Sequence, residues 1–187
     1  MIEITDIRKY FDGTRVLDGV SHVFADGVTA AISGPSGKGK TTLINIMLGL
    51  MKPDSGTVKL ADGARMACVF QEDRLIEHMT ARQNLMLTSA PDSNIDGALR
   101  ALGLDPENTE RVAKYSGGMR RRVAIARAVL AKPDILILDE PFKGLDENTR
   151  RSAAEYILKS CPNACRILVT HDPDEMQLMH VTDILKI

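Results

Sequence analysis

VTAAISGPSGKGKTTLINIMLGL, residues 28–50, runs an apolar strand into SGPSGKGKTT (33–42) and out again into a helical pattern. From Gly34 to Thr41 it fits G-x-x-x-x-G-K-[ST], the spelling of a phosphate-binding loop between a strand and a helix. The residue types follow from the chemistry. Gly34, Gly37 and Gly39 open backbone conformations closed to residues with a Cβ, so that successive N–H groups turn toward one anion. Pro35, Ser36 and Lys38 fill the positions between them. Lys40 supplies a cation for the β- and γ-phosphates, Thr41 a hydroxyl for Mg²⁺, and a helix starting near Lys40 and Thr42 its positive end. The loop is therefore expected to bind a nucleoside triphosphate.

Composition sets the outer limits. A chain of 187 residues is one domain's worth, and 24 basic against 25 acidic residues leave a net charge of −1, with no bulk attraction to nucleic acid. Three cysteines make no disulfide framework, and Cys161 and Cys165 lack the second pair of ligands that a zinc site needs; free thiols in a reducing cytoplasm are expected. No signal pattern precedes the first strand, and the apolar runs are too short to span a bilayer. Any link to a membrane is expected to pass through a partner.

Working outward, IEITDIRKYF (2–11) and TRVLDGVSHVF (14–24) flank an Asp12–Gly13 turn and predict an antiparallel ribbon. TTLINIMLGL reads as a helix ending near Gly49, Pro53–Gly56 as a turn, and ARMACVFQ (64–71) as a strand. Residues 72–113 read as a helical insert, with helical spacing in RLIEHMTARQNLMLT (74–88) and DGALRALGL (96–104), separated by a loop at SAPDSN (89–94). Leu75, Ile76, Met79 and Leu85 mix there with charges, which suits a groove receiving a short helix from another subunit, the alternative being that these side chains form the insert's own small core. Beyond the insert, helix MRRRVAIARAVLAK, strand DILILDE, a helix around 147–160, strand RILVTH, a short helix and strand DILKI restore α/β alternation. Uniformly apolar strands between helices imply a mostly parallel sheet covered on both faces. The chain is thus read as one α/β domain, with core residues 1–71 and 114–187 interrupted by the insert.

ILILDE ends in two carboxylates. In P-loop NTPases an acid at this place serves the metal, so Asp139 is the candidate on the Mg²⁺ side and Glu140 the candidate general base or water-orienting group. SGGMRRR (116–122) adds a hydroxyl, two glycines and a helix start, so Ser116, Gly117 and Gly118 form a second candidate anion site. The arginine run behind it is expected to be a solvated face. Gln71 at a strand end, the GLD of 144–146 and His171 at another strand end complete the set.

In this order the chain resembles the nucleotide-binding domain of ATP-binding cassette transporters: GPSGKGKT as Walker A, VFQED as Q-loop, YSGGM as signature, ILILDEP as Walker B, GLD as D-loop and VTHD as H-loop. The resemblance spans the whole chain and implies a P-loop NTPase of the ABC-ATPase type, with an antiparallel β subdomain and a short helical subdomain. It further implies that Gln71 senses Mg²⁺ and the attacking water and that His171 contacts the γ-phosphate. Ser116, Gly117, Gly118 and Asp146 would serve the nucleotide held by a second copy, and Phe11, with Tyr10 as the alternative, would stack on adenine.

Tyr115 and Met119 depart from the usual LSGGQ, and Met119 followed by RRRVAIARA is similar to the nitrate, sulfonate and taurine import ATPases. The resemblance implies a cytoplasmic ATPase held at the inner face of the cell membrane by permease subunits, closing as a head-to-tail homodimer on ATP, with a solute-binding protein in the complex and no nucleic acid. An export or lipoprotein-release ATPase is the second reading. A soluble cassette ATPase acting on nucleic acid is a third, and a small-molecule kinase would leave SGGM, Gln71 and His171 unused. No regulatory domain is expected after the H-loop helix.

Overall fold

A computed structural model describes the backbone of residues 1–187 and every side chain except that of Ser93. The chain divides into two compact units. The first comprises Met1–Met66, Asp134–Asp139 and Asn163–Ile187, the second Ala67–Pro133 and Glu140–Pro162.

The first unit holds the expected ribbon, β1 (Ile2–Phe11) antiparallel to β2 (Thr14–Phe24). Its inward side chains Ile2, Ile4, Ile7 and Leu17 are buried. The register slips between Ile4 and Ile7, where Asp6 takes a left-handed φ of 49°. A third strand, β4 (Ser55–Leu60), pairs antiparallel to β1, from Ile2 opposite Leu60 to Arg8 opposite Ser55. The sequence reading has only a turn there. SGTVKL has little apolar alternation, and its strand conformation comes from β1 offering an open edge.

Strands β3 (Thr29–Ser33), β6 (Ile135–Asp139), β7 (Cys165–Val169) and β8 (Asp183–Lys186) of this unit pair in parallel in the order β6-β7-β3-β8, while β5 (Met66–Val69) carries the chain from the first unit into the second. Strands β6 and β7 are buried at every residue, which is why β6 reads as a continuous apolar run up to Asp139; the one cation of β7, Arg166, donates to Thr29 Oγ1 at 2.9 Å and to the Gly27 carbonyl at 2.8 Å. Helices α1 (Lys40–Met47) and α6 (Pro173–Leu178) belong to the same unit. Register decides where the strands end: Ile32 lies beside Val169, and Val169 beside Asp139. The phosphate loop therefore leaves β3 at the same carboxyl edge where β6 presents Asp139 and where His171 follows β7, the edge at which open α/β sheets take ligands. Cys165 is a free thiol, pushed up to about 11 by burial and donating to the Phe24 carbonyl, so it is structural and unreactive.

In the second unit α2 (Ala81–Met86), α3 (Asp92–Ala101), α4 (Gly117–Leu130) and α5 (Glu147–Ser160) pack on one another. Two expected elements differ. The helix read over 74–88 shrinks to α2, because Thr80 and Gln83 form a capping box that starts the helix there. The loop read at 89–94 is partly helix, with Pro91 at the N-cap of α3 and Asp92 in its first turn.

Upstream of α2 the chain turns without a helix, held by Asn84, whose side chain is fully buried. It accepts from the Ile76 N–H at 2.8 Å and donates to the carbonyls of Ile76 and Thr80 at 3.1 and 3.0 Å. Asn84→Ala strands those backbone groups away from water and should cost about 2–4 kcal/mol. Urea unfolding measures it, and a loss under about 1 kcal/mol would mean that water replaces the amide.

Candidate functional site

The phosphate loop departs from β3 with its shape imposed by close neighbours. A Cβ at Gly34 would lie 2.2 Å from the Ile187 carbonyl oxygen. At Gly39 it would lie 2.8 Å from Val16 Cγ1 at a φ of 93°, so β2 and the chain's last residue both close on the loop. Gly39 caps α1 without any side-chain hydrogen bond, and no acidic residue occupies the first turn. The leading N–H groups of α1 thus face outward as donors for an anion. Lys40 Nζ donates to the carbonyls of Gly34 and Pro35 at 2.7 and 2.9 Å, which holds the ammonium over the loop. Ser36, Gly37, Lys38 and Thr41 are exposed, and Thr42 is half-buried. Glycine conformation, an unblocked helix start and a placed ammonium fit a triphosphate.

Asp139 ends β6 buried. With the Thr41 hydroxyl it gives the hard oxygen donors that Mg²⁺ prefers. Among the described residues no three His, Cys, Asp or Glu side chains converge on a metal site, so most of an Mg²⁺ shell would come from phosphate and water. Glu140, next in the chain, has a φ of 48°, a costly conformation for a non-glycine residue, and accepts from Lys143 Nζ at 3.1 Å. His171 is exposed and borne by a braced turn. Buried Thr170 donates to Glu175 Oε2 at 2.6 Å and accepts from the Asp172 N–H at 3.1 Å. Tyr10 and Phe11 are both exposed at the tip of β1. Asp54 accepts from the Tyr10 N–H at 2.7 Å and from Lys9 Nζ at 2.9 Å, and those bonds, the lysine's first, hold its carboxyl below the usual range. Lys9 Nζ also lies 5.6 Å from the Phe11 ring centroid.

The second unit has its own cleft, about 540 Å³, lined by Ser116, Gly117, Gly118, Gly144, Asp146 and Lys143 among others. A Cβ at Gly118 would lie 3.4 Å from the Gly144 carbonyl oxygen, so the two glycine motifs abut. Ser116 caps α4 by accepting from the Met119 N–H at 3.2 Å. Asp146 caps α5, and hydrogen bonds from the Thr149 hydroxyl (2.7 Å) and N–H (3.0 Å) hold its carboxyl below the usual range. Tyr115, in the place of the more frequent leucine, is buried as an apolar residue would be. Gln71 is exposed just beyond β5.

Two expectations are corrected. The arginines after the signature are not a solvated face: Arg121 is buried and donates to the carbonyls of Phe70 and Gln71, while Arg122 donates to those of Leu102 and Gly103. The sign was present in VAIA (123–126). Four consecutive apolar residues cover the whole circumference of a helix, so the neighbouring cations need internal acceptors. Leu75 and Leu85 are buried in the second unit's own core, leaving only the half-buried Ile76 and Met79 of the proposed groove.

Comparison with known proteins agrees with this geometry. Residues 17–143 match the family model described as ABC transporter, and the chain belongs to that family. It is 36% identical over 195 residues to an Fe(3+) ions import ATP-binding protein of Rhodococcus jostii (strain RHA1), covering 93% of this chain and 56% of that protein. An aliphatic sulfonates import ATP-binding protein of Nocardia farcinica (strain IFM 10152) is 39% identical over 180 residues, 93% of this chain and 73% of that protein. The chain therefore spans little more than half the length of the iron-import relatives it matches. Among solved structures, an ATP binding subunit of an ABC transporter superposes with a TM-score of 0.88 at 26% identity, over all of this chain and 85% of that one.

Proposed function

We propose that this chain is the ATP-binding and ATP-hydrolysing component of a bacterial ABC importer, driving separate membrane permease subunits. The observation that carries the reading is the shared carboxyl edge of the sheet, where register brings the phosphate loop, Asp139 and the His171 turn together. Names of relatives that are import ATP-binding proteins support it. In this reading Gly34–Thr42 cradle the phosphates, Phe11 stacks on adenine, and Thr41 and Asp139, with Gln71, hold Mg²⁺. Bound Mg²⁺ supplies neutralisation of the charge on the β- and γ-oxygens. Glu140 takes the proton of the attacking water, and His171 binds the γ-phosphate. Ser116, Gly117, Gly118 and Asp146 meet the nucleotide of a second copy, giving a two-fold homodimer with two equivalent sites.

Among the described residues no helix is long and apolar enough to cross a membrane, and membrane attachment would pass through the permease at its cytoplasmic face, with a solute-binding protein completing the complex. Docking uses the exposed part of 72–85. Glu77 has a side chain 66% exposed and pairs with Arg120 at the surface, a weak interaction, so a cysteine there should fold normally. It should cross-link to the membrane subunit encoded beside this chain. Cross-linking from residues near the C-terminus instead would move the docking surface to another face.

A further inference from the structure

From the arginines of α4 we infer a device not contained in the motif readings: Arg121 is a positioning residue that fixes the backbone of Gln71 to the helix carrying Ser116–Gly118. Arg121 Nη1 donates to the Phe70 carbonyl at 2.6 Å and Nη2 to the Gln71 carbonyl at 2.5 Å. In an extended strand successive carbonyls point to opposite sides, so one guanidinium reaching both requires the chain to bend directly after β5 ends at Val69. Only arginine offers a planar fork of donors with that reach. The charge is balanced from the strap itself, since Asp73 Oδ1 lies 3.2 Å from Arg121 Nε. Arg127 extends the hold, donating to the carbonyls of Asp73 and Arg74 at 3.1 and 2.8 Å, and Arg120 donates to Glu77 at 2.9 Å. Arg74 in turn stacks its guanidinium 3.6 Å from the Phe70 ring centroid.

Four backbone carbonyls between Phe70 and Arg74 thus end on one helix. Gln71 keeps its own side chain exposed while its main chain is immobilised. A strap held this way moves with the signature helix, so that whatever α4 meets at its N-terminus is reported at Gln71 by rigid-body displacement. The inference rests on the reading of Gln71 as the residue that meets the metal and the attacking water.

The test is a cycle of Arg121→Gln, Gln71→Ala and the double variant, assayed for ATP turnover and KM in the full chain, with amide hydrogen exchange across 69–75. Losing the forked hold should lower kcat by about tenfold, the scale of one charge-assisted hydrogen bond, with KM for ATP within about twofold. Exchange should rise in 69–75 and stay unchanged in α5. Because Arg121 acts through Gln71, the double variant should be no slower than the slower single one, whereas independent losses would multiply.

Arg121→Lys keeps a cation beside Asp73 and one donor. It should recover part of kcat, and it carries the test if Arg121→Gln fails to fold. Multiplying losses, an unchanged kcat in both Arg121 variants, or unaltered exchange in the strap would each overturn the assignment. If Gln71→Ala slows turnover and the Arg121 variants do not, Arg121's role falls while Gln71's stands. If Gln71→Ala is itself harmless, the reading of Gln71 falls and takes the role of Arg121 with it.

Discussion

Glu140→Gln is expected to abolish steady-state hydrolysis, lowering turnover by about 10²–10⁴-fold, while ATP still binds and holds two copies together. The substitution keeps size and hydrogen-bonding groups and removes only the carboxylate that would take the proton of the attacking water. The left-handed backbone at Glu140 suits Gln no worse than Glu, and the Lys143 ion pair that is lost is exposed, so the fold should be unaffected. Dimerisation follows from the site inventory. The phosphate loop already equips the first unit to hold a triphosphate, yet the second unit gathers Ser116–Gly118 and Gly144–Asp146 on a cleft of its own. In the proposed dimer two copies related by a two-fold axis would give each cleft a nucleotide to cap, and the γ-phosphate would be the group that touches both. Light scattering after size exclusion reads the outcome: dimer with ATP, monomer with ADP. A variant that stays monomeric in saturating ATP, or that dimerises equally with ADP, would defeat the γ-phosphate bridge.

Lys40→Ala should weaken ATP binding by at least about tenfold and eliminate turnover, since in the proposed reading its ammonium would make the charge-assisted bonds to the β- and γ-phosphates. The wild-type ammonium is held by the Gly34 and Pro35 carbonyls, so it is in place before nucleotide arrives and little order is lost on binding. Removing it leaves two carbonyls in a solvent-exposed loop, which water satisfies, and thermal stability should change little. Equilibrium titration with a fluorescent ATP analogue decides the matter. Unchanged affinity would assign the phosphates to the α1 N-terminus alone, with Lys38, exposed on the same loop, as the next cation to remove.

How much of this was legible depended on how local the physics is. The phosphate loop could be read because its glycines answer a backbone requirement within eight residues, and α1 follows it directly. The buried strand β6 is legible as an apolar run closing on Asp139, since both its faces are covered, and β7 as the apolar ILV that follows Arg166. The β1–β2 ribbon was set by its Asp12–Gly13 turn, and the order of the six motifs sufficed for the family. Strand β4 could not be read, because its conformation is supplied by the open edge of β1, more than forty residues away. Helix α2 was over-read, because helical spacing continues through Leu75 and Met79 while the Thr80 capping box and the buried Asn84 amide decide where the helix begins.

The residues proposed for phosphate binding, metal binding and proton transfer are thus all named by the sequence alone, because each motif carries its residue types in adjacent positions. Tertiary structure decided which of them meet. Strand register set Ile32, Val169 and Asp139 in one row, and the packing of α4 around its buried Val123–Ala126 turned Arg121 inward to the carbonyls of Phe70 and Gln71. A buried cation must find an acceptor, and which acceptor is within reach is a property of packing that no local pattern encodes.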